Sequence, residues 1–124
     1  MIRSVFFVAI GGMLGSVGRF LLVSLTVHLL PFTFPSGTFV VNIFGSFVMG
    51  AAVGLSERYL WFDHEWRIFL TAGFCGGFTT FSAFAIENLV LLENREYLTF
   101  ALYSLLSFVV CLVAAWIGLI LTRP

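Results

Sequence analysis

The sequence predicts an all-α membrane protein of four transmembrane helices, the third broken near its middle. Three observations lead there. Of the 124 residues, 60% are hydrophobic and only 10% are charged, where an ordinary soluble domain carries about 25% charged residues. Four apolar stretches reach the ~20 residues needed to cross a bilayer. One of them, residues 73–87, reads G-F-C-G-G-F-T-T-F-S-A-F-A-I-E. A helix facing only lipid has no use for its paired glycines, paired threonines and glutamate.

Composition also narrows the partners. So much apolar surface has no place in a soluble fold of this size, so the solvent is lipid. Formal net charge is zero and no basic tract occurs, which argues against a nucleic-acid partner. All six basic residues are arginines: Arg3, Arg19, Arg58, Arg67, Arg95 and Arg123. The two cysteines, Cys75 and Cys111, both lie in apolar stretches and read as free, buried thiols.

The first span covers about 4–30. Arg3 followed by an apolar run resembles a signal peptide, but no A-x-A-like cleavage site follows, so it reads as a retained span. Gly11, Gly15 and Arg19 recur every four residues, as do Gly12 and Ser16. Small residues at this spacing let helix backbones approach closely. Arg19 sits near mid-span, where a guanidinium is costly unless it meets protein or water. It either snorkels from a tilted helix or forms an electropositive vestibule for anions.

Residues 31–37 form a proline-bounded turn, and the second span follows at about 36–56. Asn42, Ser46, Gly50 and Gly54 share one of its faces. The Asn42 amide must find partners in lipid, as interhelical glue or as a donor lining a pore. The segment 57–66 holds Glu57, Arg58, Asp63, His64 and Glu65 and reads as a solvated loop. His28 and His64 are lone residues without a metal-ligand arrangement around them.

The third span covers about 67–92. Gly76-Gly77 weakens its helix, and the Thr79 and Thr80 hydroxyls can satisfy backbone groups that a break sets free. Non-helical backbone at membrane depth needs protein or a water-filled cavity around it. Two half-helices meeting there present free carbonyls and free amides, suited to a cation and an anion respectively. Phe81 and Phe84 lie three residues apart, on one face. Aromatic rings have positive edges, so the pair can stabilise an anion without a formal charge that would trap it. Alone, two phenylalanines among sixteen read as core. Ser82, Glu87 and the adjacent break make the pair a candidate site. Glu87 is either an interfacial carboxylate or an acid beside the path.

The charged turn 93–96 leads into the fourth span, about 97–121. Tyr103, Ser107 and Cys111 are spaced by four residues with Ser104 beside them. They form a weakly polar stripe, read as serine back-bonding to its own helix or as a hydroxyl ladder beside the phenylalanines. Phe32, Phe34, Tyr59, Trp61, Trp66 and Tyr97 flank the turns as an interfacial belt. Arg3, Arg58, Arg67 and Arg123 fall on one side and Arg95 on the other, which favours a cytoplasmic N-terminus. The short turns leave one four-span domain, residues 1–124. Four helices can hardly enclose a polar pathway alone, so an oligomer is expected.

Assembled in this way, the chain resembles the Fluc (CrcB) fluoride channels of bacteria. The resemblance covers essentially the whole length: four spans, G-G-M-L-G-S-V-G-R at 11–19, V-N-I-F-G-S at 41–46, and G-F-C-G-G-F-T-T-F-S-A-F at 73–84. The last motif is the specific one. The resemblance implies a channel rather than an enzyme, carrying fluoride passively out of the cytoplasm. It implies a multi-pass protein of the bacterial cytoplasmic (inner) membrane, in contact with lipid, working as an antiparallel, dual-topology homodimer. It implies that Asn42 is a pore donor and that Phe81 and Phe84, with Ser82 beside them, line fluoride sites. Tyr103 and Ser107 supply polar groups along the path, Arg19 stands near the vestibule, and Glu87 lies close to the path. It implies one structural Na⁺ at the dimer centre, held by the backbone carbonyls of Gly76 and Thr79 from both subunits.

The rival is a small four-helix, proton-coupled multidrug exporter. That chemistry needs a membrane-embedded acid in the first span, where this chain has Arg19 and no acid. A structural membrane subunit would explain the glycine faces but not the broken third span.

Overall fold

The computed structural model describes residues 1–30 and 34–124. It is all helical among the described residues: α1 (Ile2–Leu29), α2 (Ser36–Arg58), α3 (His64–Ile68), a π-helical stretch (Phe69–Cys75), α4 (Gly76–Phe78), α5 (Phe81–Glu93) and α6 (Tyr97–Thr122). Four helical spans are long and apolar enough to cross a membrane: Ile2–Leu29, Ser36–Arg58, His64–Glu93 and Tyr97–Thr122. The bounds of these helices lie within a few residues of the expected spans. The first part of the proline-bounded turn, with Phe32, lies outside the described residues.

The third span begins earlier than expected because Asp63 caps it. Its Oδ1 accepts from the Glu65 N–H (3.1 Å) and the Trp66 N–H (3.3 Å), satisfying free amides of the first turn. The stretch read as a solvated loop is thus partly a helix start. Glu65 pairs with Arg3 at 2.8 Å, and Glu57 with Arg123 at 3.2 Å. These two pairs hold both chain termini at the end of the bundle that carries the α2–α3 connection. At the opposite end, Arg95 takes a left-handed conformation (φ 59°) in the turn between α5 and α6.

The small-residue faces pack within the chain. A Cβ on Gly50 would collide with the Ala115 carbonyl, and one on Gly118 with the Phe47 carbonyl, so α2 and α6 approach backbone to backbone. A Cβ on Gly11 or Gly15 would strike the carbonyls of Phe69 or Phe74, so α1 lies equally close to the π-helical stretch. Close packing is the main source of helix association in lipid, where apolar burial gives little. The interior is correspondingly small: Val41, Ala52, Phe62, Cys75, Phe78, Leu91 and Tyr103 form the buried apolar core. Large apolar side chains cover the exterior, as suits lipid. Phe34, expected in the interfacial belt, instead packs edge-on against Tyr103, with ring centroids 5.2 Å apart.

Candidate functional site: a helix break and the groove beside it

The third span breaks at Thr79 and Thr80, whose backbones are extended (ψ 156° and 119°). Gly76 itself is helical (φ −61°, ψ −36°). Gly77 serves another purpose: a Cβ there would lie 2.6 Å from the Gly12 carbonyl and 3.0 Å from Ser16 Oγ. It lets α1 pass close to the end of the half-helix.

Several backbone groups released by the break are taken up by side chains. Thr80 N–H donates to Asn42 Oδ1 (2.9 Å), and Asn42 Nδ2 donates to the Thr80 carbonyl (3.1 Å). Thr80 Oγ1 caps α5 by accepting from the Ala83 N–H (3.1 Å). Arg19 Nε donates to the Gly77 carbonyl at 3.1 Å. Thr79 donates through both its N–H and its hydroxyl to the Cys75 carbonyl. An unbroken helix would send the Thr80 amide to the Gly76 carbonyl and the Ala83 amide to the Thr79 carbonyl. Both amides go elsewhere, so these two carbonyl oxygens are set free.

Beside the break lies a groove of about 540 Å³. Its polar lining comes from Asn42, Ser46, Thr79, Thr80, Ser104 and Ser107, and its aromatic lining from Phe81, Phe84 and Phe108. None of the residues lining it is charged. Phe81 is 79% exposed, and its ring centroid is 5.6 Å from that of Phe84. Ser107 is only 8% exposed, and its Oγ is buried with no partner among the described residues. Such a hydroxyl is costly unless something enters to satisfy it. Cys111 also lines the groove.

Other expected residues sit apart from it. Tyr103 is fully buried behind Phe84, ring centroids 5.0 Å apart, and its hydroxyl donates to Glu87 Oε1 at 3.2 Å. Glu87 Oε2 accepts from Thr38 Oγ1 at 3.0 Å, and Glu87 borders a second cavity of about 340 Å³. Ser82 is exposed, its Oγ 3.1 Å from Thr80 Oγ1. Arg19 is tied to the end of the half-helix through its Nε, which holds the Gly77 carbonyl. The break thus brings Asn42, Arg19, Gly76 and Thr79 together, and the groove unites Asn42, Phe81, Phe84 and Ser107.

Two participants escaped the sequence reading. Thr38 lies one turn before Asn42, so both project from one face of α2. Asn88 is 7% exposed, donates to the Phe84 carbonyl (3.1 Å) and accepts from Ser104 Oγ (3.2 Å). The available signal was an amide inside an apolar span, which demands a partner as Asn42 does.

A family model described as "CrcB-like protein, Camphor Resistance (CrcB)" matches residues 6–119. The chain belongs to the CrcB-like family. A relative from Azobacteroides pseudotrichonymphae, named "Fluoride-specific ion channel FluC", is 45% identical over 123 residues, covering 99% of this chain and 98% of the relative. A protein of the same name from Flavobacterium psychrophilum is 40% identical over 121 residues, 98% of each chain. Another, from Leptospira interrogans, is 40% identical over 107 residues, 86% of this chain and 84% of the relative.

Proposed function

We propose that this CrcB-like chain is a fluoride-selective channel that lets fluoride leave the cytoplasm passively. It is a transport protein, not an enzyme. The observation that carries the reading is the lining of the groove. Phe81 and Phe84 line it together with hydroxyls and the Asn42 amide, with no charged side chain among them. Fluoride is small and strongly hydrated, so it gives up water only to close donors. Asn42 spends one Nδ2 hydrogen on Thr80 and keeps the second. Ser107 holds a buried hydroxyl without a partner. Ring edges add attraction without the tight hold of a fixed cation, and conduction needs sites that ions can leave. The exporter reading lacks its acid: α1 has none, and Glu87 is held by Thr38 and Tyr103 outside the groove.

The working unit in this reading is an antiparallel homodimer in a bacterial cytoplasmic membrane, inserted in both orientations. In one copy Phe81 is exposed and the groove lies open, so a second copy can complete its wall. The freed carbonyls of Gly76 and Thr79 are the groups that would hold a structural Na⁺, as unwound backbone carbonyls do in transporters built on broken helices. Gly76 is exposed, which leaves its carbonyl region within reach of a partner copy. When bound, the ion would neutralise the carbonyl ends that meet at the dimer centre.

Ion efflux from liposomes containing the purified protein tests the function. Fast passive fluoride loss with little chloride loss is expected. Proton-coupled movement of an organic cation, with no fluoride flux, would overturn it. Accessible tags at either terminus should label from both membrane faces; labelling from one face only would defeat dual insertion.

A further inference from the structure

Helix α5 carries both groove phenylalanines, yet it touches its own subunit through a narrow stripe. Phe81, Ser82, Ala85, Ile86, Leu89 and Val90 are exposed, whereas Phe84, Glu87, Asn88 and Leu91 face inward. Apolar contact along such a stripe is non-directional and does little to resist rotation of the helix about its axis. Hydrogen bonds are directional, and two of them reach α6 from neighbouring positions. Glu87 accepts from Tyr103, and Asn88 accepts from Ser104. Successive helical residues are separated by about 100° around the axis, so two ties at different azimuths fix the rotation where one would not.

We propose that Asn88 and Ser104 form a positioning pair that sets the azimuth of α5, and through it the placement of Phe84 in the groove. Asn88 is suited to this because its two ends act on different elements. Its Nδ2 holds the Phe84 carbonyl one turn back, and its Oδ1 takes the Ser104 hydroxyl on α6. Ser104 lines the groove, but its hydrogen is directed to Asn88, so its hydroxyl serves the helix before the ion. Loosening the pair lets α5 turn, widens the space between Phe84 and the hydroxyl wall, and favours larger anions. The inference rests on the proposed channel function.

The test compares fluoride and chloride currents through the wild-type dimer, Asn88→Leu, Ser104→Ala, the double variant and Ser104→Thr in planar bilayers. Ser104→Ala should lower fluoride throughput by about tenfold, the effect of losing roughly one hydrogen bond. Asn88→Leu, which loses two, should lower it at least as much, and both should shift the reversal potential towards chloride. The double variant should be no worse than the poorer single one. Ser104→Thr, which keeps the hydroxyl, should recover the fluoride preference. Unchanged currents would overturn the proposal. So would lower throughput at unchanged ion preference, which marks a merely structural role, and so would additive losses in the double variant. If Asn88→Leu fails to assemble, the contrast between Ser104→Ala and Ser104→Thr decides. A wild-type protein without fluoride current would instead remove the channel reading itself.

Discussion

Asn42 and Thr80 are joined by a two-way clasp: the amide of one side chain meets both backbone polar groups of one residue, at 2.9 and 3.1 Å. Those groups have left the helical ladder, and water cannot reach them freely at membrane depth. The clasp therefore makes a break in the third span tolerable. Because the same amide lines the groove and keeps one N–H unspent, the break and the groove's polar wall share a single side chain.

Asn42→Ala is expected to remove both bonds and leave an amide and a carbonyl unpaired. Each such group costs about 1–3 kcal/mol, so thermal unfolding in detergent should occur at clearly lower temperature, and fluoride efflux from liposomes should be suppressed. Unchanged efflux would take Asn42 out of the pathway.

Phe81→Ile separates conduction from folding. The ring is 79% exposed in one subunit, so its loss should change subunit stability by no more than about 1 kcal/mol. Fluoride efflux should nevertheless fall steeply, because isoleucine has no polarised ring edge. Dimers persisting on size-exclusion chromatography with efflux intact would refute a role for this ring.

Tyr103→Phe keeps the ring against Phe34 and Phe84 and removes only the hydroxyl that donates to Glu87. A destabilisation of about 0.5–1.5 kcal/mol is expected. A thermal midpoint equal to wild type would show that Thr38 alone holds the carboxylate.

Arg95→Gly addresses the turn between α5 and α6. A left-handed backbone is strained for a side chain bearing a Cβ and natural for glycine. The variant should be more stable by about 0.5–1 kcal/mol, with efflux unchanged. A lower melting temperature would show that the Arg95 side chain contributes more than the strain costs.

The four spans and the all-α class were legible because hydropathy and length are local properties, summed along one stretch of chain. The broken third span was legible too: the glycine pair at 76 and 77 and the threonines at 79 and 80 marked it, and the extended residues are Thr79 and Thr80. The Asp63 cap was readable in principle, as an acid directly before a helix, and was obscured by the charged residues around it. The glycine faces were legible as close-packing surfaces, but the sequence left open what they pack against. The structure assigns them to α1 against the π-helical stretch and to α2 against α6.

The sequence by itself determined that this chain lives in lipid, crosses it four times, and concentrates its unusual chemistry in residues 73–87. Lipid imposes that reading directly, since every uninterrupted apolar run must span and every polar group within it must find a partner. Only the tertiary structure decided who those partners are. Asn42 completes Thr80 from 38 residues away, Arg19 completes Gly77 from 58, and Asn88 reaches Ser104 across 16. Such pairings are set by helices meeting in space, and no local pattern in the chain encodes them.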